Sequence, residues 1–316
     1  MNTTEIFTSE LPVGERLSIK RTRFEPKKIT GKEKRISIVS GIHGDELEGQ
    51  LVIYLLAEWL NNNSEKLTGI VDIYPAVNSL GVDTITRGFP LYDVDLNRTF
   101  PGGANEFLPG QVVHALACDV KGSAIAIDIH SSNIFLREIP QIRINKEYSP
   151  STLPLAKELN CDFIWIHDAV TVLESTFSHT MNSMGTKTLV VEMGVGMRLT
   201  KEYGHQLLIG ILNLMKKEGI IECKEDFITR EAFNSEVGEV FYLNAPKSGL
   251  FVPALDHCAI IKKDEKIGDI VDPLTGIIHA TLNAPNDGIL FTLREYPVVY
   301  EGSLIARIFG DNNGKN

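Results

Sequence analysis

Five strand-length runs, largely apolar and separated by helix-length patterns, restrict this chain more than any other feature. They are Arg35 to Gly41, Gly69 to Val77, Ser123 to His130, Phe163 to Ile166 and Thr188 to Met193. A strand without a polar face is covered on both sides, so these runs predict an α/β fold with a sheet flanked by helices. The segments Glu46 to Leu60, Leu153 to Leu159 and His205 to Lys217 carry the spacing of the helices that would cover it. In such sheets ligands sit at the carboxyl ends of strands. His43 and Glu46 follow the first run, His130 closes the third, and Glu192 closes the fifth.

From about Lys224 the texture changes to short apolar runs separated by Gly, Pro, Asp and Asn, among them Gly249 to Val252, Ile267 to Val271 and Gly288 to Leu293. Many short strands at near-regular spacing predict an all-β module. The expected division is a catalytic domain over 1–223 and a β-rich C-terminal domain over 224–316. The net charge of −10 gives no reason to expect nucleic-acid binding, so an anionic small molecule needs a local basic cluster. No window approaches the ~18 apolar residues of a membrane span, and the first residues have no apolar signal core. The four cysteines stand at long irregular spacings with no CxxC pair, which suits reduced thiols. A cytoplasmic protein without membrane or nucleic-acid partners is the expectation.

Four local patterns carry chemistry. Ser40-Gly-Ile-His43-Gly-Asp-Glu46 places an imidazole and a carboxylate three apart in a glycine-containing turn. Ile125-Ala-Ile-Asp128-Ile-His130 delivers a second imidazole to a strand end, with Asp128 either supporting it or capping the strand. Two His and one Glu make a catalytic-type zinc set, which leaves a coordination position open. Thr188-Leu-Val-Val-Glu192-Met-Gly ends an apolar strand in a carboxylate, a costly position unless the charge is paired or working, and suits a general base. Asp95-Leu-Asn97-Arg98, preceded by Arg87, supplies the basic cluster, and the guanidinium fork matches a carboxylate.

With these four motifs in this order, the chain resembles the succinylglutamate desuccinylase and aspartoacylase family, a branch of the zinc carboxypeptidase superfamily, over roughly residues 35 to 310. The resemblance implies a zinc-carboxypeptidase-like mixed sheet flanked by helices, with a smaller C-terminal barrel-sandwich module. It implies one zinc per chain on His43, Glu46 and His130, Glu192 as base, Arg87 at the oxyanion, and Asn97 and Arg98 on a substrate carboxylate. The chain departs from the family pattern at Ser175 to Lys187, which has no arginine. His257 reads as a surface variation, and the family's late tyrosine has counterparts in Tyr296 and Tyr300.

The reading that follows is hydrolysis of a small carboxylate-bearing N-acyl amino acid or related N-acyl amine. A metallocarboxypeptidase acting on small peptides is the alternative, and a non-catalytic binding protein the third. The β module's apolar strands make a homo-oligomer a further expectation.

Overall fold

The computed structural model describes residues 1–168 and 174–310. The chain begins with β1 (Asn2–Glu10) and β2 (Arg16–Phe24), followed by β3 (Arg35–Ser40), α1 (Glu48–Asn62), β4 (Ile70–Tyr74), α2 (Ser79–Thr84) and α3 (Leu108–Val120). Next come β5 (Ile125–Ser131), β6 (Leu136–Asn145), α4 (Ser149–Ala156), β7 (Phe163–His167), α5 (Phe177–Ser183), β8 (Lys187–Gly194) and α6 (Lys201–Lys217). The remainder is strand: β9 (Phe233–Asn234), β10 (Glu239–Asn244), β11 (Gly249–Pro253), β12 (Ile260–Ile261), β13 (Lys266–Asp272), β14 (Ile277–Asn283), β15 (Gly288–Arg294), β16 (Val298–Val299) and β17 (Leu304–Gly310).

Strands β4, β3, β5 and β8 lie side by side in parallel, as their apolar runs require. The alternation of β5 sorts its residues: Ile125, Ile127 and Ile129 join the core built with Val52, Leu56 and Leu60 of α1 and Leu207, Ile211 and Leu214 of α6. Ala126 faces the other core, with Val112, Val113 and Leu116 of α3 and Phe177 and Met181 of α5. Asp128 and His130 share the parity of Ala126, so the side chains with chemistry lie on that second face. The same alternation in β8 sends Leu189, Val191 and Met193 into the first core, while Thr188, Val190 and Glu192 line a cavity.

Two features go beyond the sequence expectation. The polar N-terminal segment forms the β1–β2 hairpin, and β2 pairs with β4 to extend the sheet. The C-terminal strands divide: β14, β13, β11 and β16 form a separate four-stranded antiparallel sheet, whereas β15, β17 and β10 continue the large mixed sheet through β6. Thr292 of β15 stands opposite Glu138 of β6 on one side and Arg307 of β17 on the other. No described helix is long and apolar enough to cross a membrane.

Candidate active site

The turn after β3 is shaped by glycines. Gly41 has φ +67°, and a Cβ on Gly44 would lie 2.0 Å from the carbonyl carbon of Gly81. This close packing lets His43 and Glu46 turn back over the sheet edge just ahead of α1. Both are buried, as is His130 at the end of β5.

The three side chains meet. His43 Nδ1 and His130 Nδ1 each lie 2.8 Å from a Glu46 oxygen and 3.2 Å from one another. The opposite ring nitrogens are engaged elsewhere: His43 Nε2 is 3.0 Å from Asp95 Oδ1, and His130 Nε2 is 2.9 Å from Asp128 Oδ2. A carboxylate at Nε2 favours the tautomer that carries its proton there, which turns both Nδ1 lone pairs toward Glu46. Lone pairs and a carboxylate facing one another repel unless a proton or a cation sits among them.

Proton affinities display that tension. Burial opposes the charged form of His130, yet Asp128 and Glu46 hold its pKa well above the usual imidazole value. His43 is likewise raised against burial by Glu46 and Asp95. Burial works to raise the Glu46 pKa, but the two imidazoles carry it far below the usual carboxylate range. The donor set therefore fits a divalent cation of the zinc type, with each imidazole oriented by its own carboxylate.

Arg87 leans over this cluster, donating from Nη1 to Glu46 Oε1 at 2.6 Å and from Nη2 to Asp95 Oδ2 at 3.5 Å. Asp95 caps the following turn by accepting from the Asn97 backbone N–H. Asn97 is buried, its Oδ1 accepting from the Phe177 N–H at 2.9 Å and its Nδ2 lying 3.4 Å from His130 Nε2. Arg98 is exposed and donates to the carbonyl of Asn97 at 2.7 Å. Both line the same cavity as Arg87, His43, Glu46, His130 and Glu192, a space of about 690 Å³. The seven residues given metal, catalytic or substrate roles from the sequence, His43, Glu46, Arg87, Asn97, Arg98, His130 and Glu192, thus lie at this one cavity.

Several lining residues escaped the sequence reading. Strand β6 supplies Glu138, Arg143 and Asn145, β7 supplies Trp165 and His167, and β17 supplies Arg307. Arg143 Nη1 stands 3.2 Å from Glu192 Oε1 and Nη2 donates to Glu138 at 2.9 Å. Burial raises the Glu192 pKa above the usual value, with Arg143 opposing it. The signal for these residues was charge inside an apolar strand, Leu136-Arg-Glu138-Ile-Pro-Gln-Ile-Arg143-Ile, with Pro140 as its one local hint of a bulge. Of the expected tyrosines, neither Tyr296 nor Tyr300 lines the cavity; Tyr296 packs against Phe135. His257 is no surface variation: it is largely withdrawn from solvent, with Nε2 3.1 Å from the Phe291 carbonyl and Nδ1 3.4 Å from the Tyr203 hydroxyl.

Residues 32–217 match the succinylglutamate desuccinylase/aspartoacylase catalytic domain. The chain belongs to this family. It is 24% identical over 291 residues to an N-alpha-acetyl-L-2,4-diaminobutyric acid deacetylase of Halomonas elongata, covering 86% of this chain and 80% of that one. A succinylglutamate desuccinylase/aspartoacylase from Rhodobacter sphaeroides superposes with a TM-score of 0.77 at 25% identity, over 96% of this chain and 91% of the other. The fold is also that of an ectoine utilization protein of Ruegeria pomeroyi solved with product bound, with a TM-score of 0.80 at 19% identity over 96% and 92% of the two chains. The family match ends at α6, whereas the structural likenesses include the C-terminal strands. Membership makes this protein a deacylase-type hydrolase.

Proposed function

We propose that the protein is a zinc-dependent deacylase that hydrolyses the amide bond of a small N-acyl amino acid or related N-acyl amine. The observation that carries this reading is the pair of imidazoles whose Nδ1 atoms converge with Glu46 while Asp95 and Asp128 tie down the outer nitrogens. His43, Glu46 and His130 would hold the zinc. When bound, the metal supplies Lewis acidity that activates water and polarises the acyl carbonyl.

The remaining steps belong to side chains. Glu192, half-buried and raised in pKa, takes the proton of the attacking water and returns it to the departing nitrogen. Arg87 is fixed beside Glu46 and aims a cation at the position where the carbonyl oxygen gains charge. Asn97 is held by the Phe177 N–H and Arg98 projects into the cavity, so together they orient a substrate carboxylate. The Halomonas relative, whose name specifies an acetylated diamino acid, supports the acyl amino acid class.

The test is elemental analysis of the purified protein together with amine release across N-acyl amino acids and dipeptides. About one zinc per chain and amine release from acyl amino acids are expected. Cleavage confined to dipeptides would transfer the same site to a peptidase. A protein that loads no zinc and releases no amine sinks the proposal.

A further inference from the structure

Four arginines line the cavity: Arg87, Arg98, Arg143 and Arg307. Two of them are already neutralised by the protein. In a regular strand Glu138 and Arg143 would point to opposite faces, being five residues apart. The β6–β8 pairing, however, shifts register between Glu138 and Gln141, so Glu138 stands opposite Gly194 and Gln141 opposite Glu192. That one-residue bulge, in the stretch between Glu138 and Gln141 that contains Pro140, brings Glu138 and Arg143 to the same face.

Glu138 is 1% exposed. It accepts from Arg143 at 2.9 Å and from Arg307, which reaches over Thr292 from β17, at 2.5 Å. Arg143 also pairs with Glu192, and both guanidiniums lie 5.6 Å from the ring centre of Trp165. Two cations thus face two carboxylates in a closed account of charge. Arg87 is tied to Glu46 and Asp95. Among the described residues, Arg98 is the one cavity arginine with no carboxylate partner, its hydrogen bond going to the Asn97 carbonyl.

We infer that the cavity selects substrates bearing a single carboxylate, and that Glu138 sets this selectivity by occupying two arginines that would otherwise receive a second acid group. A second carboxylate entering near Trp165 meets Glu138 and Glu192, and capturing Arg143 or Arg307 leaves a buried Glu138 short of partners. The neutral groups on the lining, including Asn145, Tyr148 and Asn182, suit an uncharged side chain or a short acyl group. The inference rests on the deacylase reading for the chemistry of the substrate, although the tally of committed cations does not depend on it.

The closing experiment compares zinc-loaded wild type and Glu138→Gln on N-acetylglutamine and N-acetylglutamate, which differ in charge and scarcely in shape. Wild type is expected to favour N-acetylglutamine on the order of 10- to 100-fold in kcat/KM, and Glu138→Gln to raise the value for N-acetylglutamate about tenfold. A gain of this kind cannot come from misfolding. A wild type that prefers N-acetylglutamate overturns the inference, as does a folded variant that leaves the ratio unmoved; if the variant does not fold, the wild-type ratio decides. Calorimetric binding of butyrate and glutarate to the wild type separates this question from catalysis. Should no acyl amino acid release amine, the deacylase reading falls, yet butyrate bound at least as tightly as glutarate still supports the selectivity, and glutarate bound about tenfold tighter overturns it.

Discussion

The two ends of the cavity hold buried charge in opposite ways. Around Glu46 the protein brings two imidazoles and a carboxylate together with their acceptor atoms facing inward, and carboxylates behind them lock that orientation. Around Glu138 it sets two guanidiniums against two carboxylates, so each charge already has its counterpart. The first arrangement is incomplete and calls for a guest cation. The second is complete and shapes what the substrate can bring. Burial of charge is thus not itself the mark of a cation site; the mark is a balance left open.

The largest effect that would break this contrast is loss of the open end. His43→Ala removes one of three donors, and the expected outcome is a fall from about one zinc per chain to background, with amine release lost together with the metal. Inductively coupled plasma analysis beside a progress curve checks it. Glu192→Ala should instead keep the zinc and lower kcat by about 10²- to 10⁴-fold, the range for a general acid–base group. Zinc lost from Glu192→Ala would mean that the two ends are not separable.

A smaller effect sharpens the role of the supporting carboxylates. Asp128→Asn keeps the shape beside His130 Nε2 but removes the charge that orients the ring. Zinc affinity should weaken about 10- to 100-fold, measured by competition with a chromophoric chelator. An unchanged affinity would show that the imidazole is held by packing alone.

What could be read from the sequence divides along the same line. The open end was legible because its residues sit at the ends of apolar strands, where His43, Glu46 and His130 have no packing reason to be, and Glu192, at the end of β8, was legible on the same ground. Strand identity was legible for the same reason, through runs such as Ile125 to Ile129 that are buried on both faces. The rest of the closed end was not legible. Glu138 and Arg143 share a face through a bulge, and Arg307 arrives from a strand more than 160 residues away that joins β6 by way of β15. A bulge inverts the parity on which strand reading depends, and the pairing of distant strands leaves no local trace. The β1–β2 hairpin left little trace because β1 is an edge ribbon in which no residue is fully buried.

A third imidazole supplies the smallest test. Among the described residues no carboxylate hydrogen-bonds to His257; burial, only partly offset by its hydrogen bond to the Phe291 carbonyl, lowers its pKa to about 4. It therefore folds neutral and must be charged only after unfolding, where its ordinary pKa is about 6.5. Below that value the unfolded chain binds the extra proton, so His257 makes stability fall as the pH drops from about 6.5 toward 4, and adds nothing to pH dependence above 7. At pH 5 this amounts to about 2 kcal/mol. His257→Gln lacks the titration, so the loss of unfolding free energy between pH 7 and pH 5 in urea should be about 2 kcal/mol smaller in the variant than in wild type. Equal losses in both proteins would mean that the unfolded and folded chains titrate His257 alike, and that its contact with Tyr203 and Phe291 is too loose to exclude the charge.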